Sequence, residues 1–302
     1  MDKNLKDILV SVWKMKFSIL FITITFSLMS VYYALQSPNL YISNAILLPM
    51  QQEDKMNNAI AKYSSAASLA GINLPTSSFE NVSNEAIARV KSFSFFRKYF
   101  LPFIKLEDLF AATNWNSQNN LISYDEKIFN KTKNQWVRNV SPPLVLIPTE
   151  QEAYEVYKKT VAIYKDEKTS FVHISTKHVS PNIAEQWTNL IIKNINESMR
   201  EIDKTTVLKS IEFLNKIYNE TSLSDTKDAI SNLLEKQIQD LMFISANENY
   251  VFKILEDPIS PEKRSSPNRF LILFFGTFLG FIFGVFFSLI FSFVRQLNLQ
   301  KN

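Results

Sequence analysis

Residues that carry acid–base, nucleophilic or metal chemistry are scarce in this sequence of 302 residues. It has no cysteine, so thiol catalysis, disulfides and cysteine-ligated zinc are excluded. The two histidines, His173 and His178, form no HExxH motif, and His173 lies in FVHIST, where we expect a structural or surface role. Three pairs of adjacent acidic residues occur: Glu53–Asp54, Glu107–Asp108 and Glu256–Asp257. Neighbours in sequence point to different sides of most elements, so we predict no catalytic residue and no metal site.

Glycine is also scarce, because the chain has four and Gly71 is the only one in the first 275 residues. A phosphate-cradling loop needs glycines so that its backbone can approach the anion. Neither GxxxxGK[ST] nor GxGxxG is present. We therefore expect no nucleotide or other cofactor, and we predict that the chain is not an enzyme.

Two uncharged apolar stretches, Phe17 to Leu35 and Phe270 to Val294, are each long enough to cross a membrane. About 20 apolar residues span the ~30 Å hydrocarbon core. The alternatives are a cleaved signal peptide for the first stretch and a buried core helix for the second. No A-x-A-like site follows the first stretch, and the second is longer than a core helix needs, so we predict two membrane spans.

The charges favour a hairpin topology. Residues 37–269 carry 27 basic and 27 acidic side chains, so the net charge of +4 comes from the two tails. Basic excess near membrane ends marks the cytoplasmic side, so we expect both termini in the cytoplasm and the large loop outside. Lys263, Arg264 and Arg269 oppose this orientation, but long loops translocate largely regardless of charge. A neutral loop also makes nucleic acid a poor partner.

The predicted organisation follows from these spans. It comprises a cytoplasmic tail (1–16), a first transmembrane helix (17–36), an outer domain (37–268), a second transmembrane helix (269–294) and a cytoplasmic tail (295–302).

The outer domain mixes strand and helix patterns, which predicts an α+β fold. Thr149 and Glu152 form a capping-box pattern for a short helix. Strands are predicted at Leu40–Leu48, Thr160–Tyr164, Ser170–Thr176 and Tyr250–Leu255, and helices at Met56–Leu69, Asn84–Phe100 and Tyr124–Val140.

A helix of unusual length is predicted from Pro181 to about Glu220, since no proline or glycine interrupts its apolar period. Such a helix is ~60 Å long, which is more than a compact domain needs, so we expect it to protrude. A second helix, Asp225–Ala246, would fold back along it. The residues expected to pack on the first part of the long helix are Ile183, Trp187, Leu190, Ile191 and Ile195.

The second span contains small residues four positions apart: Gly276, Gly280, Gly284 and Ser288, extended by Ser292. Residues at this spacing share one helix face, and small side chains let helix backbones approach closely. We predict a helix–helix contact there, with the first span, another copy or another protein as its partner.

A proline-rich segment precedes this span. Pro258, Pro261 and Pro267 favour an extended, stiff connection that couples the outer domain to the membrane.

These segments resemble the chain-length determinant (Wzz) family of bacterial polysaccharide co-polymerases, in the right order over nearly the whole chain. The proline-rich run with the glycine-spaced span carries the strongest similarity. Four further segments resemble the family. They are Ser64–Pro75 (SSAASLAGINLP), which is similar to an S-L-A-G stretch of the family; Glu85–Ser92, which is similar to a helix of the family; His178–Asn189, at the start of the long helix; and Asn249–Leu255, the strand that returns to the membrane.

The resemblance implies an inner-membrane protein with a periplasmic α/β base domain, a long protruding helix and ring-like homo-oligomers. Its implied role is to set the modal length of O-antigen or a related surface glycan made by a partner polymerase. The implied partners are other copies, the O-antigen polymerase, the growing lipid-linked glycan and membrane lipids. Relatives with an appended tyrosine kinase carry a Walker motif, which is not expected in a chain ending eight residues after the span.

Three other functions remain open at this point. They are a capsule or exopolysaccharide export adaptor, a two-span periplasmic sensor, and a hydrolase or transferase with an extracytoplasmic site. The sequence does not identify the sugar, the modal length, the copy number in a ring, or the choice between polymerase-dependent and export-dependent pathways.

Overall fold

The fold, taken from a computed structural model that describes residues 13, 15–50 and 79–299, mixes helices and sheet as predicted. The helices are α1 (Lys16–Gln36), α2 (Phe79–Val90), α3 (Phe93–Phe95), α4 (Leu106–Phe110), α5 (Glu150–Thr160), α6 (Pro181–Glu220), α7 (Ser224–Ala246) and α8 (Arg269–Leu299). The strands are β1 (Tyr41–Pro49), β2 (Ala112–Asn116), β3 (Leu121–Tyr124), β4 (Phe129–Asn130), β5 (Gln135–Trp136), β6 (Val161–Lys165), β7 (Val172–His178) and β8 (Phe252–Glu256).

The chain divides into two compact units. One consists of residues 1–40 and 264–302 and contains α1 and α8. Both helices are long and apolar enough to cross a membrane. The other unit, residues 41–263, holds the sheet and the remaining helices.

The main sheet of the second unit has the order β6-β7-β1-β8, and every neighbouring pair is antiparallel. Tyr41 pairs with His178 at one end, and Ile163 pairs with Ile174 in the outer ladder. Side chains alternate between the two faces of a strand. Ala45 and Leu47 of β1 are buried, as are the alternate residues of β7, so one face of the sheet carries the core.

The first part of α6 packs on this face. Trp187, Ile191 and Ile195 are at most 5% exposed, while Ile183 and Leu190 are partly buried against the same core. The aromatic rings of Phe96 and Phe100, from a π-helical turn at Phe96–Phe100, complete the core together with Tyr157.

The predicted long helix extends from Pro181 to Glu220 in the structure. The Ser180 hydroxyl accepts from the Ile183 backbone N–H, and Pro181 occupies the first turn, where a missing N–H costs nothing. The last buried residue of α6 is Met199, so the following 21 residues of the helix extend beyond the core that packs on the sheet. Tyr250 Oη donates to Asp203 at 2.6 Å, and Lys227 lies 5.2 Å from the ring of Tyr218, so α7 runs antiparallel along this part.

Two helix predictions are wrong. Tyr124–Val140 forms the small hairpin β4–β5, because asparagine and aspartate side chains stabilise turns there. The Asn130 Oδ1 accepts from the Lys133 N–H at 2.9 Å, and Asn134 has a positive φ of 52°. The helix predicted at Asn84–Phe100 is interrupted at Ser92, whose hydroxyl instead caps α3 by accepting from the Phe95 N–H.

Other elements agree with the predictions. The capping box of Thr149 and Glu152 is present at the start of α5, and β6, β7 and β8 fall at their expected places. The predicted helix Met56–Leu69, the segment Ser64–Pro75 with Gly71, and the pair Glu53–Asp54 lie outside the described residues.

Candidate functional site

The small residues of α8 lie against α1. A Cβ built on Gly280 would be 2.6 Å from the Cβ of Phe26 and 3.2 Å from the Cα of Thr23. One built on Gly284 would be 3.2 Å from the backbone of Ile19. Real Cβ atoms essentially never come within 3.0 Å of another carbon, so a side chain at Gly280 would force Phe26 to move, whereas at Gly284 the backbone of Ile19 would have to shift by only a few tenths of an ångström.

The same face continues at both ends of the glycine series. Gly276 contacts the side chain of Ser30, and Ser288 is fully buried. The Ser288 hydroxyl has no hydrogen-bond partner among the described residues. Near the crossing, the rings of Phe26 and Phe283 stack with centroids 5.7 Å apart. The contact predicted for this face is thus made with the first apolar helix.

The opposite faces of this helix pair are covered with exposed aromatic side chains. Phe278 and Phe281 are 51% and 53% exposed, and Phe21 of α1 is 73% exposed. Exposed apolar surface of this extent marks a contact with lipid or with another protein.

The proline-rich segment is attached at both of its ends. At the first end Pro258 is buried, and the carbonyl of Ile259 accepts from the Ser43 hydroxyl at 2.8 Å. At the other end Ser266 and Leu40 form an antiparallel bridge, in which the Leu40 N–H donates to the Ser266 carbonyl at 2.8 Å. Pro261 and Pro267 are half-buried.

Asn196 on α6 anchors the strand that leads back toward the second apolar helix. Its Oδ1 accepts from the N–H groups of Val251 and Phe252 at 2.8 and 2.9 Å, and its Nδ2 donates to the Phe252 carbonyl at 3.0 Å. All three residues are at most 4% exposed. The sequence analysis missed Asn196, although an asparagine within the apolar stripe of a helix is a signal for such a buried polar contact.

His178, at the end of β7, is buried against Trp187 with ring centroids 4.8 Å apart. Its Nδ1 accepts from the Ser180 N–H at 3.0 Å, which leaves Nε2 to donate to the Asp108 carbonyl at 2.9 Å. Burial lowers the pKa of His178, so the ring is neutral and structural. Asp108 itself accepts from the Tyr124 hydroxyl at 2.6 Å.

No group of three or more histidine, aspartate or glutamate side chains that could hold a metal ion occurs within residues 15–50 and 79–299. The half-buried His173 stacks on Tyr164 across β6 and β7, with ring centroids 5.2 Å apart.

Residues 2–96 match the family model described as Wzz, chain length determinant protein. The predicted resemblance to the Wzz family is confirmed. No curated protein matches the chain.

Three solved structures are similar over most of the chain but have low TM-scores. A full-length bacterial polysaccharide co-polymerase has a TM-score of 0.40 and 13% identity, covering 97% of this chain and 99% of its own. A fragment of WzzB, a polysaccharide co-polymerase from Salmonella Typhimurium, has a TM-score of 0.32 and 15% identity, covering 75% and 99%. A mutant of the Shigella flexneri lipopolysaccharide O-antigen chain-length regulator WzzBSF has a TM-score of 0.22 and 11% identity, covering 75% and 100%. At these TM-scores none of the three carries an argument about this chain.

Proposed function

We propose that this protein is a non-enzymatic regulator of polysaccharide chain length that works as a homo-oligomer in the bacterial inner membrane. In this role it sets the modal length of O-antigen, or of a related surface glycan, made by a partner polymerase. The observation that carries the proposal is the match of residues 2–96 to the Wzz chain length determinant family.

Self-association is supported by apolar side chains on the outer part of the α6–α7 pair. Within one copy these helices cover only part of each other's apolar surface. Leu208, Phe213, Leu233, Ile238 and Met242 are between 47% and 61% exposed. Exposed apolar surface of this kind marks an interface, and other copies of the chain would cover it.

The proposed topology places both termini in the cytoplasm and the domain of residues 41–263 in the periplasm. Support comes from the basic residues of the N-terminal tail, Lys3, Lys6, Lys14 and Lys16, against two acidic residues. In this arrangement the contact between Gly280 and Phe26 holds the two spans together.

The proline-rich segment would transmit the arrangement of the oligomer to the spans. Hydrogen bonds fix both of its ends, at Ile259 and Ser266, and its three prolines restrict the backbone between them. A shift of the domain would then be passed to α8 rather than absorbed by a flexible linker.

Gel analysis of surface glycan from a strain that lacks the gene tests the proposal. We expect the strain to lose its modal glycan length and a plasmid copy of the gene to restore it. A glycan that is absent altogether would instead indicate an export adaptor, and an unchanged length distribution would refute regulation of chain length. The mass of the detergent-solubilised full chain, which we expect to be a multiple of 35.0 kDa, tests the oligomer separately.

A further inference from the structure

Two arginine side chains meet at the start of α8, where they share a single acceptor. Arg264 Nη1 and Arg269 Nη2 each donate to the Oδ1 of Asn39 at 3.2 Å. All three residues belong to the unit of residues 1–40 and 264–302, so their contact is a property of that unit alone. We call the two side chains the arginine pair. Because their shared acceptor is a neutral amide oxygen, it brings two positive charges together without neutralising them.

No acidic side chain of the same unit balances the arginine pair within the residues that the structure describes. Residues 15–40 and 264–299 contain no aspartate or glutamate. In the described part of the chain neither Arg264 nor Arg269 forms an ion pair. Two adjacent guanidinium groups repel each other, so an anion placed between them would stabilise the arrangement.

The guanidinium of Arg269 also has an unmet donor. Its Nε is buried and has no hydrogen-bond partner among the described residues. Buried polar groups are nearly always hydrogen-bonded, so an unmet donor needs an explanation, and an ion that the chain itself does not supply is one. A guanidinium has five N–H donors, and the bond to Asn39 uses one of them. The arginine pair can therefore donate to an acceptor with several oxygens.

The backbone on either side of the arginine pair is held by hydrogen bonds. The N–H groups of Ser265 and Ser266 donate to the Leu40 carbonyl at 2.8 and 3.2 Å, and the Leu40 N–H donates to the Ser266 carbonyl at 2.8 Å. In the first turn of α8 the Oδ1 of Asn268 accepts from the Leu271 N–H at 3.3 Å. This backbone is ordered before an anion binds, which reduces the entropy lost on binding.

The arginine pair lies at the ends of the two apolar helices. Arg269 is the first residue of α8, which is long and apolar enough to cross a membrane, and the side chains of Phe270 and Phe274 beyond it are 74% and 55% exposed. Asn39 comes three residues after Gln36, the last residue of α1, and three residues reach at most about 11 Å. A guanidinium at the end of such a span reaches the phosphate level of a bilayer while the apolar side chains beside it stay among the acyl chains.

We propose that Arg264 and Arg269 together bind the phosphate group of an anionic membrane lipid. Guanidinium groups pair with phosphate oxygens through parallel N–H donors, and two of them match the charge of nearly −2 on a phosphate monoester. Free phosphate has the same oxygens but no acyl chain to contact the exposed Phe270. This inference is independent of the proposed role in glycan length, because it concerns only the arginine pair and lipid.

Native mass spectrometry of the detergent-solubilised full chain measures lipid binding directly. The probe is dioleoyl phosphatidic acid, whose headgroup is a phosphate monoester, and dioleoyl phosphatidylcholine is the zwitterionic comparison. Inorganic phosphate, added as a competitor at the concentration of the lipid, tests whether the acyl chains are required. We expect phosphatidic acid to bind at least about tenfold more tightly than phosphatidylcholine and to stay bound in the presence of inorganic phosphate.

Variants separate the arginine pair from general positive charge. Arg264→Gln and Arg269→Gln each remove one guanidinium, and Lys263→Gln, at the exposed neighbouring position, is the matched control. We expect each arginine variant to weaken phosphatidic acid binding by about tenfold or more, the effect of losing a charged hydrogen bond, and the control to change it by less than about threefold. Arg269→Lys keeps the charge without the forked donors and should recover only part of the affinity.

Thermal unfolding of each variant verifies that it is folded, and Arg264 is exposed, so its replacement leaves the packing intact. Equal losses in Arg264→Gln and Lys263→Gln would overturn the proposal, because binding would then follow net charge alone. Equal affinity for phosphatidic acid and phosphatidylcholine would also overturn it. Displacement of the lipid by inorganic phosphate would refute the assignment to lipid, and failure of the unmodified chain to bind phosphatidic acid would indicate an acidic side chain of another protein as the partner instead.

Discussion

Replacing Gly280 by leucine should separate α1 from α8. The added Cβ would lie 2.6 Å from the Cβ of Phe26, an atom fixed to the backbone that cannot move away by changing rotamer. Carbon atoms in contact prefer a separation of about 3.5–4.0 Å, so the helices must move apart by about 1 Å before the rest of the leucine is placed. Overpacking of this kind costs about 1–3 kcal/mol, which lowers the ratio of paired to separated helices by roughly 5- to 150-fold.

Cross-linking of the two helices measures this change. Ser18 on α1 and Phe287 on α8 line one groove beside the crossing, so Ser18→Cys with Phe287→Cys reports on pairing in a chain that has no other thiol. With a short bifunctional maleimide, we expect Gly280→Leu to reduce the yield at least about fivefold. The matched control is Phe281→Leu, since Phe281 is adjacent in sequence but 53% exposed.

Two results would refute this reasoning. Equal cross-linking yields in Gly280→Leu and Phe281→Leu would show that the glycine face does not determine pairing. If pairing is lost but the surface glycan keeps its wild-type length distribution at normal expression, the spans are not part of length control. The second result would leave the contact itself intact as a finding.

Three further predictions concern the stability of the full chain in detergent. His178 is neutral when folded because burial lowers its pKa below the unfolded value of about 6.5, so its contribution is present above that pH and is lost as pH falls through the folded pKa. Below pH ~6.5 the free energy of unfolding should fall by up to ~1.4 kcal/mol per pH unit, a slope that His178→Gln should flatten in a series of thermal melts. Asn196→Ala should lower the free energy of unfolding by about 3 kcal/mol, because it leaves the buried backbone N–H groups of Val251 and Phe252 without their partner. Replacing the exposed Asn189 by alanine should change it by no more than about 0.5 kcal/mol, so equal melting temperatures of the two variants would contradict this. Arg138→Ala should lower the free energy of unfolding by about 2–3 kcal/mol, because the Glu152 carboxylate loses its charged partner. The hydrogen bond from Arg138 lowers the pKa of Glu152, so Glu152→Gln in the same chain should recover part of the lost stability.

The elements that were predicted correctly are those with a local cause. Proline at the first turn of α6 and the uninterrupted apolar period after it define a helix whatever surrounds it. The capping box at Thr149 is likewise a contact between residues three apart, and the apolar composition of α1 and α8 is a property of each segment alone.

The errors occurred where short polar residues decide between competing local structures. The segment from Tyr124 to Val140 has enough apolar residues for a helix, but the turn at Asn130–Asn134 and the edge-to-face contact of Phe129 with Trp136 favour a hairpin. Ser92 could continue a helix or cap a new one, and the buried position of Phe95 selects the cap. Burial of this kind depends on residues distant in sequence, so no local pattern contains it.

The amino-acid sequence by itself determined two apolar helices, a long helix between them and a face of small residues on the second apolar helix, because periodicity and composition are properties of single segments. Only the tertiary structure decided what these surfaces meet. It placed Gly280 against Phe26, used Asn196 to hold the strand β8, and left Leu144–Ile147 exposed beside a buried arginine. The physical reason is that partners far apart in sequence are chosen by packing and by the satisfaction of buried polar groups, which exist only once the chain is folded.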